Sequence, residues 1–253
     1  MLSPDRIDDI ALLEDLAMTA WPAPRRMVHR GWAVYFADGH TGRANSANAL
    51  VPMAAMDDDG ILAVEQAYRR QSLPPMFRLT PLSPPGLLGR LLLRGYTVAS
   101  ESHVLWRELA GDGFEHAFDR DVHVLSGFHP AWLDAYRTMV PVPDQEMPAL
   151  TSILSAITAD ARFALLMQDG VPVAACMAVI DRGWAGFFKV AGRPDQRGRG
   201  YGRRLMSDMM VRAAADGATG AYLQVGTGNA PALALYRRLG FQGLYDYAYA
   251  RKG

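Results

Sequence analysis

The stretch Arg197-Gly198-Arg199-Gly200-Tyr201-Gly202 constrains this chain more than any other. The residues before it, Trp184 to Val190, are apolar and aromatic apart from Gly186 and Lys189 and read as a buried strand. The residues after it, Tyr201 to Asp216, read as a helix. Leu205, Met209, Val211 and Ala213 recur on roughly one face, and Gly217 stands where a C-cap belongs. A strand–glycine loop–helix unit leaves the first N–H groups of its helix free. Glycines let that backbone approach a ligand without Cβ interference, and the helix dipole favours negative charge there. Between Gly192 and Leu205 five arginines (193, 197, 199, 203, 204) stand against one acid, Asp195. The stretch therefore predicts an anion site, although an Arg/Gly run also suits a solvated loop or a nucleic-acid patch.

A second stretch sharpens the expectation. Ala221 to Val225 reads as another strand, followed by a turn over Gly226 to Gly228. Asn229 suits a helix N-cap, and Pro231 falls in the first turn, where a missing N–H costs nothing. Tyr236 and Leu239 follow, and Gly240-Phe241 closes the helix. Strand, Arg-x-x-Gly-x-Gly, helix, strand, Asn-Ala-x-Ala-x-x-x-Tyr and Gly-Phe, in this order, resemble the GNAT superfamily of acyl-CoA-dependent N-acetyltransferases. The resemblance covers about Ala161 to Tyr249.

The resemblance implies an α/β fold with a mixed α+β sheet and acetyl-CoA as co-substrate. It implies that Arg197, Gly198, Arg199, Gly200, Tyr201, Gly202 and Arg203 surround the diphosphate of the cofactor. Phe188, Lys189 and Val190 would pair their backbone with the pantetheine arm, and the Val190 N–H would polarise the thioester carbonyl. Asn229 and Ala232 would touch the cofactor from the second helix. Tyr236, seven residues past Asn229, would lie near the sulfur and act as general acid. A core aromatic and a simple N-cap are the plain readings of Tyr236 and Asn229. The base has no obvious owner. Trp184 to Val190 carries no acid, Ala221 to Val225 offers only Gln224, and Asp181 and His129 read as turn residues. A water chain or an amine that arrives neutral would serve.

The first half carries a faded copy of the second. Aligning Gly95-Tyr96 with Gly240-Phe241, an offset of 241 − 96 = 145, brings Leu88 onto Leu233 and Phe77-Arg78-Leu79 onto Tyr222-Leu223-Gln224. Pro52, Ala55 and Asp57 then stand where the cradle has Arg197, Gly200 and Gly202. Asp57, Asp58 and Asp59 would repel a diphosphate. We therefore expect two tandem GNAT-like acyl-CoA N-acyltransferase domains: a degenerate one over 1–112 without the cofactor loop, and a catalytic one over 113–253. The linker is expected at Ala110-Gly111-Asp112-Gly113.

Elsewhere we expect a helix over 4–20, a β-hairpin region from Met27 to Val51 turning at Asp38-Gly39, and helices at 61–71, 87–94, 131–138 and 149–158. The acceptor is expected between the two helices of 131–158 and the strand tail, with Trp132, Tyr136, Tyr245 and Tyr247 as walls. Arg43 to Ser46 is a second candidate contact.

Composition narrows the partners. Of 253 residues half are hydrophobic, and 26 basic residues balance 26 acidic ones, so no net field draws the chain to nucleic acid or a membrane. The single cysteine, Cys176, lies in an apolar run and reads as an inert core thiol, and no metal site is expected. The acids Asp5, Asp8 and Asp9 near the start do not read as a signal peptide, so a cytoplasmic protein is expected. The expected partner is a small-molecule or amino-acid-like primary amine, with a homodimer open. Acetylation of protein lysines or N-termini is the alternative, and a non-catalytic acyl-CoA sensor the other.

Overall fold

The computed structural model describes residues 6–109 and 118–253. Contacts divide the chain into two units. The first comprises Met1–Val104, Glu146–Ala156 and Leu244–Gly253, and the second Leu105–Gln145 and Ile157–Gly243. The boundary expected at Asp112/Gly113 lies outside the described residues. The helix expected near 149–158 and the C-terminal strand, both placed by the sequence in the second domain, cluster with the first unit.

In chain order the first half runs α1 (Ile7–Ala20), β1 (Arg25–His29), β2 (Trp32–Phe36), β3 (Ala47–Ala49), α2 (Asp58–Arg70), β4 (Met76–Leu79), α3 (Leu87–Leu93) and β5 (Tyr96–Glu108). The second runs β6 (Val122–Ser126), α4 (Pro130–Arg137), α5 (Met147–Ser155), β7 (Asp160–Gln168), β8 (Val171–Asp181), β9 (Trp184–Gly192), α6 (Tyr201–Ala215), β10 (Gly220–Gly226), α7 (Ala230–Arg238) and β11 (Gln242–Lys252).

The first unit's sheet has the order β1-β2-β3-β4-β11-β5. β1 and β2 form a hairpin closed by Arg30 and Gly31, both at positive φ (45° and 82°), where one strand was expected over Met27 to Phe36. Asp38 and Gly39 also sit at positive φ, but they open a loop that reaches to Ala47. Asn45 holds that loop: its Oδ1 accepts from the N–H of Ala37 (2.8 Å) and Gly39 (3.0 Å), and its Nδ2 donates to the carbonyls of His40 (2.8 Å) and Thr41 (2.9 Å). That bracing accounts for the polar Arg43 to Ser46 stretch at Asn45 without a ligand. β11 supplies Tyr245 and Tyr247 to this unit. The Tyr245 hydroxyl donates to Glu14, which also pairs with buried Arg78, and the Arg78 guanidinium lies 3.9 Å from the Tyr247 ring centre. Both tyrosines are core residues here, so they are corrected from the open walls expected of them.

The second unit's sheet has the order β10-β9-β8-β7-β6, with the end of β5 beside β10. The β7–β8 hairpin turns at Asp169-Gly170, again both at positive φ. α6 lays Leu205, Met206, Met209, Met210 and Ala213 on the sheet, joining Ala174, Cys176, Phe187 and Leu223 in one core. α4 lies on the other face, where Trp132 Nε1 donates to the Ala164 carbonyl (3.1 Å) and its ring meets Phe163 edge-on.

The internal repeat has a structural counterpart. Subtracting 145 from the bounds of α6, β10, α7 and β11 gives 56–70, 75–81, 85–93 and 97–107, against 58–70, 76–79, 87–93 and 96–108 observed for α2, β4, α3 and β5. In each unit a parallel strand pair, β3–β4 or β9–β10, precedes and follows the corresponding helix. The ungapped offset slips at the loop. Asp57 is the N-cap of α2, the place Gly200 holds on α6 and not that of Gly202. Its carboxylate accepts from the Gly60 N–H (2.8 Å) and pairs with Arg30 (2.8 Å). The Gly60 hydrogen bond, ahead of Arg30, holds its pKa below the usual carboxylate range. Asp57→Ala is expected to lower the melting temperature by a few degrees through loss of this cap, measured by calorimetry at pH 7. An unchanged melting temperature would show the cap to be idle.

Candidate active site

The site grows from the place where two strands part. β9 and β10 pair in parallel over four positions, from Trp184↔Gly220 to Phe187↔Leu223. Beyond that register β9 continues to Gly192 and β10 to Gly226. On its other edge β9 carries a bulge. Phe188 faces Met177 and Ala191 faces Ala175, so Lys189 and Val190 together oppose Cys176. Lys189 takes φ +52° to make the extra residue fit. Such a two-against-one bulge bends its strand and takes a residue out of the ladder. Phe188 to Val190, the stretch expected to meet a cofactor arm, is therefore where β9 leaves its neighbour.

The glycine loop follows. Pro194–Gln196 forms a single 3₁₀ turn, Gly198 and Gly200 stand at φ +79° and +80°, and Gly200 is the N-cap of α6. No side chain caps this helix. A Cβ built on Gly198 or Gly200 would meet no atom within 4 Å, so both turn a bare edge to open space. That space is a cleft of about 800 Å³, lined among others by Val190, Arg197, Gly200, Arg203, Asn229 and Tyr236. Gly198, Tyr201, Gly202 and Ala232 also line it. Arg199 is exposed but is not part of the lining.

The arginines divide by role. Arg197, Arg203 and Arg238 line the cleft and have no ion-pair partner among the described residues. Arg193 also lines it but is paired with Asp195 (3.1 Å). Arg204 turns away to Asp119 and Asp121, with Nη2 2.7 Å from Asp119 Oδ1. Its hydrogen bonds hold Asp119 below the usual carboxylate range. Arg204 is thus corrected from the positive charge counted for the loop, and Arg238 from the last turn of α7 takes its place.

α7 brings two expected residues to the cleft. Asn229 Oδ1 accepts from the Ala232 N–H (3.2 Å), so Asn229 is an N-cap while also lining the cleft. Tyr236 is 7% exposed, with its ring edge-on to Phe241 at 6.0 Å. Burial, with a smaller push from Cys176, raises its phenol to about 12. Cys176 is fully buried, and burial, followed by the charge of Asp208, pushes its thiol well up, as suits an inert core residue.

Other candidates resolve into structural roles. Phe188 is buried edge-on to Tyr222 (6.1 Å) on the sheet face away from α6. Lys189 Nζ lies 5.6 Å from the Tyr136 ring centre. Trp132 and Tyr136 are stacked and buried, so they form core under α4 where an acceptor wall was expected. Tyr136 is raised to about 12 by burial. His129 caps α4 by accepting from the Ala131 N–H (3.2 Å). Among the described residues no group of three His, Cys, Asp or Glu could hold a metal ion. The bulge and Arg238 were missed, since αL at a lysine and a side chain's path to a cleft leave no mark in local sequence.

Comparisons agree with this geometry. Residues 8–250 match the family model described as "Probable histone acetyltransferase Rv0428c C-terminal". A Bacillus subtilis (strain 168) protein named "Uncharacterized N-acetyltransferase YobR" is 24% identical over 97% of this chain and 100% of its own length. A GCN5-related N-acetyltransferase from Kribbella flavida superposes with TM-score 0.70 at 21% identity, covering 96% of this chain and 95% of its own. A tandem GNAT protein from the clavulanic acid biosynthesis pathway does so with TM-score 0.57 at 10% identity, covering 99% and 96%.

Proposed function

We propose, since this chain belongs to the family described as "Probable histone acetyltransferase Rv0428c C-terminal" and is a GNAT superfamily N-acetyltransferase, that it moves the acetyl group of acetyl-CoA to a primary amine of a small molecule or amino-acid-like acceptor. The observation that carries this reading is the uncapped, glycine-edged start of α6 opening on the same cleft as Tyr236 and Val190. The residues present fit the cofactor: open space lies beside Gly198 and Gly200 where any Cβ would intrude, and three arginines stand without carboxylate partners among the described residues. In the first unit Asp57 fills the corresponding helix start with its own carboxylate, so the second unit alone would hold the cofactor.

Acetyl-CoA would supply an acetyl thioester. The backbone of Gly198 to Gly202 would hold its diphosphate, with Arg197, Arg203 and Arg238 offsetting charge. The Val190 N–H would polarise the thioester carbonyl, a contribution of about 3–4 kcal/mol for a preorganised donor. As the N–C bond formed and the C–S bond broke, the nitrogen would lose a proton, the thiolate would take one from Tyr236, and the Tyr236 phenolate would recover one from water. A phenol at about 12 lies above an ordinary thiol near about 8.5. The burial that raises the phenol also raises the proton affinity of a thiolate beside it. No carboxylate lines the cleft among the described residues, so the proton that the nitrogen sheds on acylation would go to water, whether or not the amine arrives neutral.

The family description favours a second reading, acetylation of a protein lysine. One experiment separates the readings: acetyl-CoA with a panel of small primary amines and a lysine-bearing histone-tail peptide, followed by free-thiol release. Release with small amines and not with the peptide is the expected result. Release with the peptide alone would move the reading to protein acetylation, and acetyl-CoA binding without release to a sensor.

A further inference from the structure

The two faces of the second unit's sheet divide the labour at the strand opening. Phe187, Leu223, Val225 and Tyr236 share the core under α6 and α7. Neighbouring residues in a strand point to opposite faces, and Phe188 and Tyr222 meet edge-on across the other face, over the bare Cα of Gly186. Gln224 lies two positions beyond Tyr222 and so shares its face. It is also the first residue of β10 past the last paired position. On β9 the bulge turns Lys189 toward the same side, since its ammonium reaches the Tyr136 ring of α4. Tyr136 stacks on Trp132, which meets Phe163, and Phe163 is the cross-strand partner of Met177, itself paired with Phe188. Lys189 and Gln224 thus flank the opening from the face away from Tyr236.

We propose that Lys189 and Gln224 are the specificity-determining residues for the acceptor, and that the acceptor is a primary amine bearing a carboxylate. This rests on the transferase reading above. If Tyr236 serves the thiolate from one face, the amine approaches from the other, where these two side chains stand. The Lys189 ammonium pairs with the acceptor carboxylate and repels acceptors that carry a second cationic amine. The Gln224 amide, whose Nε2 is a buried N–H donor, adds a hydrogen bond to that carboxylate. The backbone at Lys189 adopts a conformation uncommon for a side-chain-bearing residue, and such positions hold a side chain where a site requires it.

The test uses matched pairs of amines with and without the carboxylate: glycine and methylamine, β-alanine and ethylamine, 4-aminobutanoate and propylamine. Turnover with acetyl-CoA is followed by thiol release in the full chain. At least one carboxylated member is expected to exceed its partner in kcat/KM by about 10-fold or more. Lys189→Gln is expected to erase that preference by raising KM with kcat kept, and Lys189→Arg to retain it. Equal or better turnover of the plain amines by the native enzyme would overturn the inference and leave the transferase reading standing. So would an equal loss on both members of a pair in Lys189→Gln. No thiol release with any amine would overturn both.

Discussion

Tyr236→Phe is expected to lower kcat by about 10²–10⁴-fold, the range for loss of a positioned general acid, with acetyl-CoA affinity unchanged. The substitution removes one oxygen and keeps the ring that meets Phe241 edge-on, so the core under α7 is preserved. The pH dependence provides an independent readout. Because the phenol is raised to about 12, it stays protonated across the neutral and mildly alkaline range, and Tyr236 causes no loss of turnover near pH 10, where an ordinary tyrosine would ionise. Stability runs the other way. The unfolded phenol releases its proton from about pH 10 and the folded one only near 12, so Tyr236 draws stability down as pH rises through that window, and Tyr236→Phe flattens that slope. Equal turnover in native and variant enzyme would remove the acid role.

Gly200→Val is expected to weaken acetyl-CoA binding by more than about 100-fold, measured by calorimetry. Two effects combine. Gly200 holds φ +80°, which a β-branched residue adopts only with strain, and its free side faces the cleft with nothing within 4 Å, so the new methyls stand where a diphosphate must approach. Ala55→Val at the corresponding loop of the first unit is the control. Ala55 is exposed beside a helix start already capped by Asp57, and its replacement is expected to leave affinity unchanged. A loss in both variants, or in neither, would separate the cradle from binding.

Much of this was legible because its causes are local. A helix needs its apolar period and its stop, and α6 and α7 have both in the residues themselves, from Leu205 to Gly217 and from Asn229 to Gly240. Glycines at 198 and 200 announce a backbone that a Cβ would obstruct, and both adopt the positive φ that they permit. Seven residues of helix carry Tyr236 from Asn229 to a second place on the same cleft. The aromatic side chains misled, since Trp132, Tyr136, Tyr245 and Tyr247 suit a binding wall and a core equally well, and burial depends on neighbours far away in the chain.

By itself the sequence determined most of the elements, though not the turn between β1 and β2, together with the bare loop before α6, the repeat at 145 residues and the loss of the loop in its first copy. Tertiary structure alone decided that β11 and α5 cluster with the first unit, that Arg204 turns to Asp119 and Asp121 instead of the cleft, and that β9 bulges opposite Cys176 as it leaves β10. The reason is range. Caps, turns and periodicity act within a few residues, whereas strand exchange, register slips and ion pairing are set by which distant segments reach one another first and bury the most.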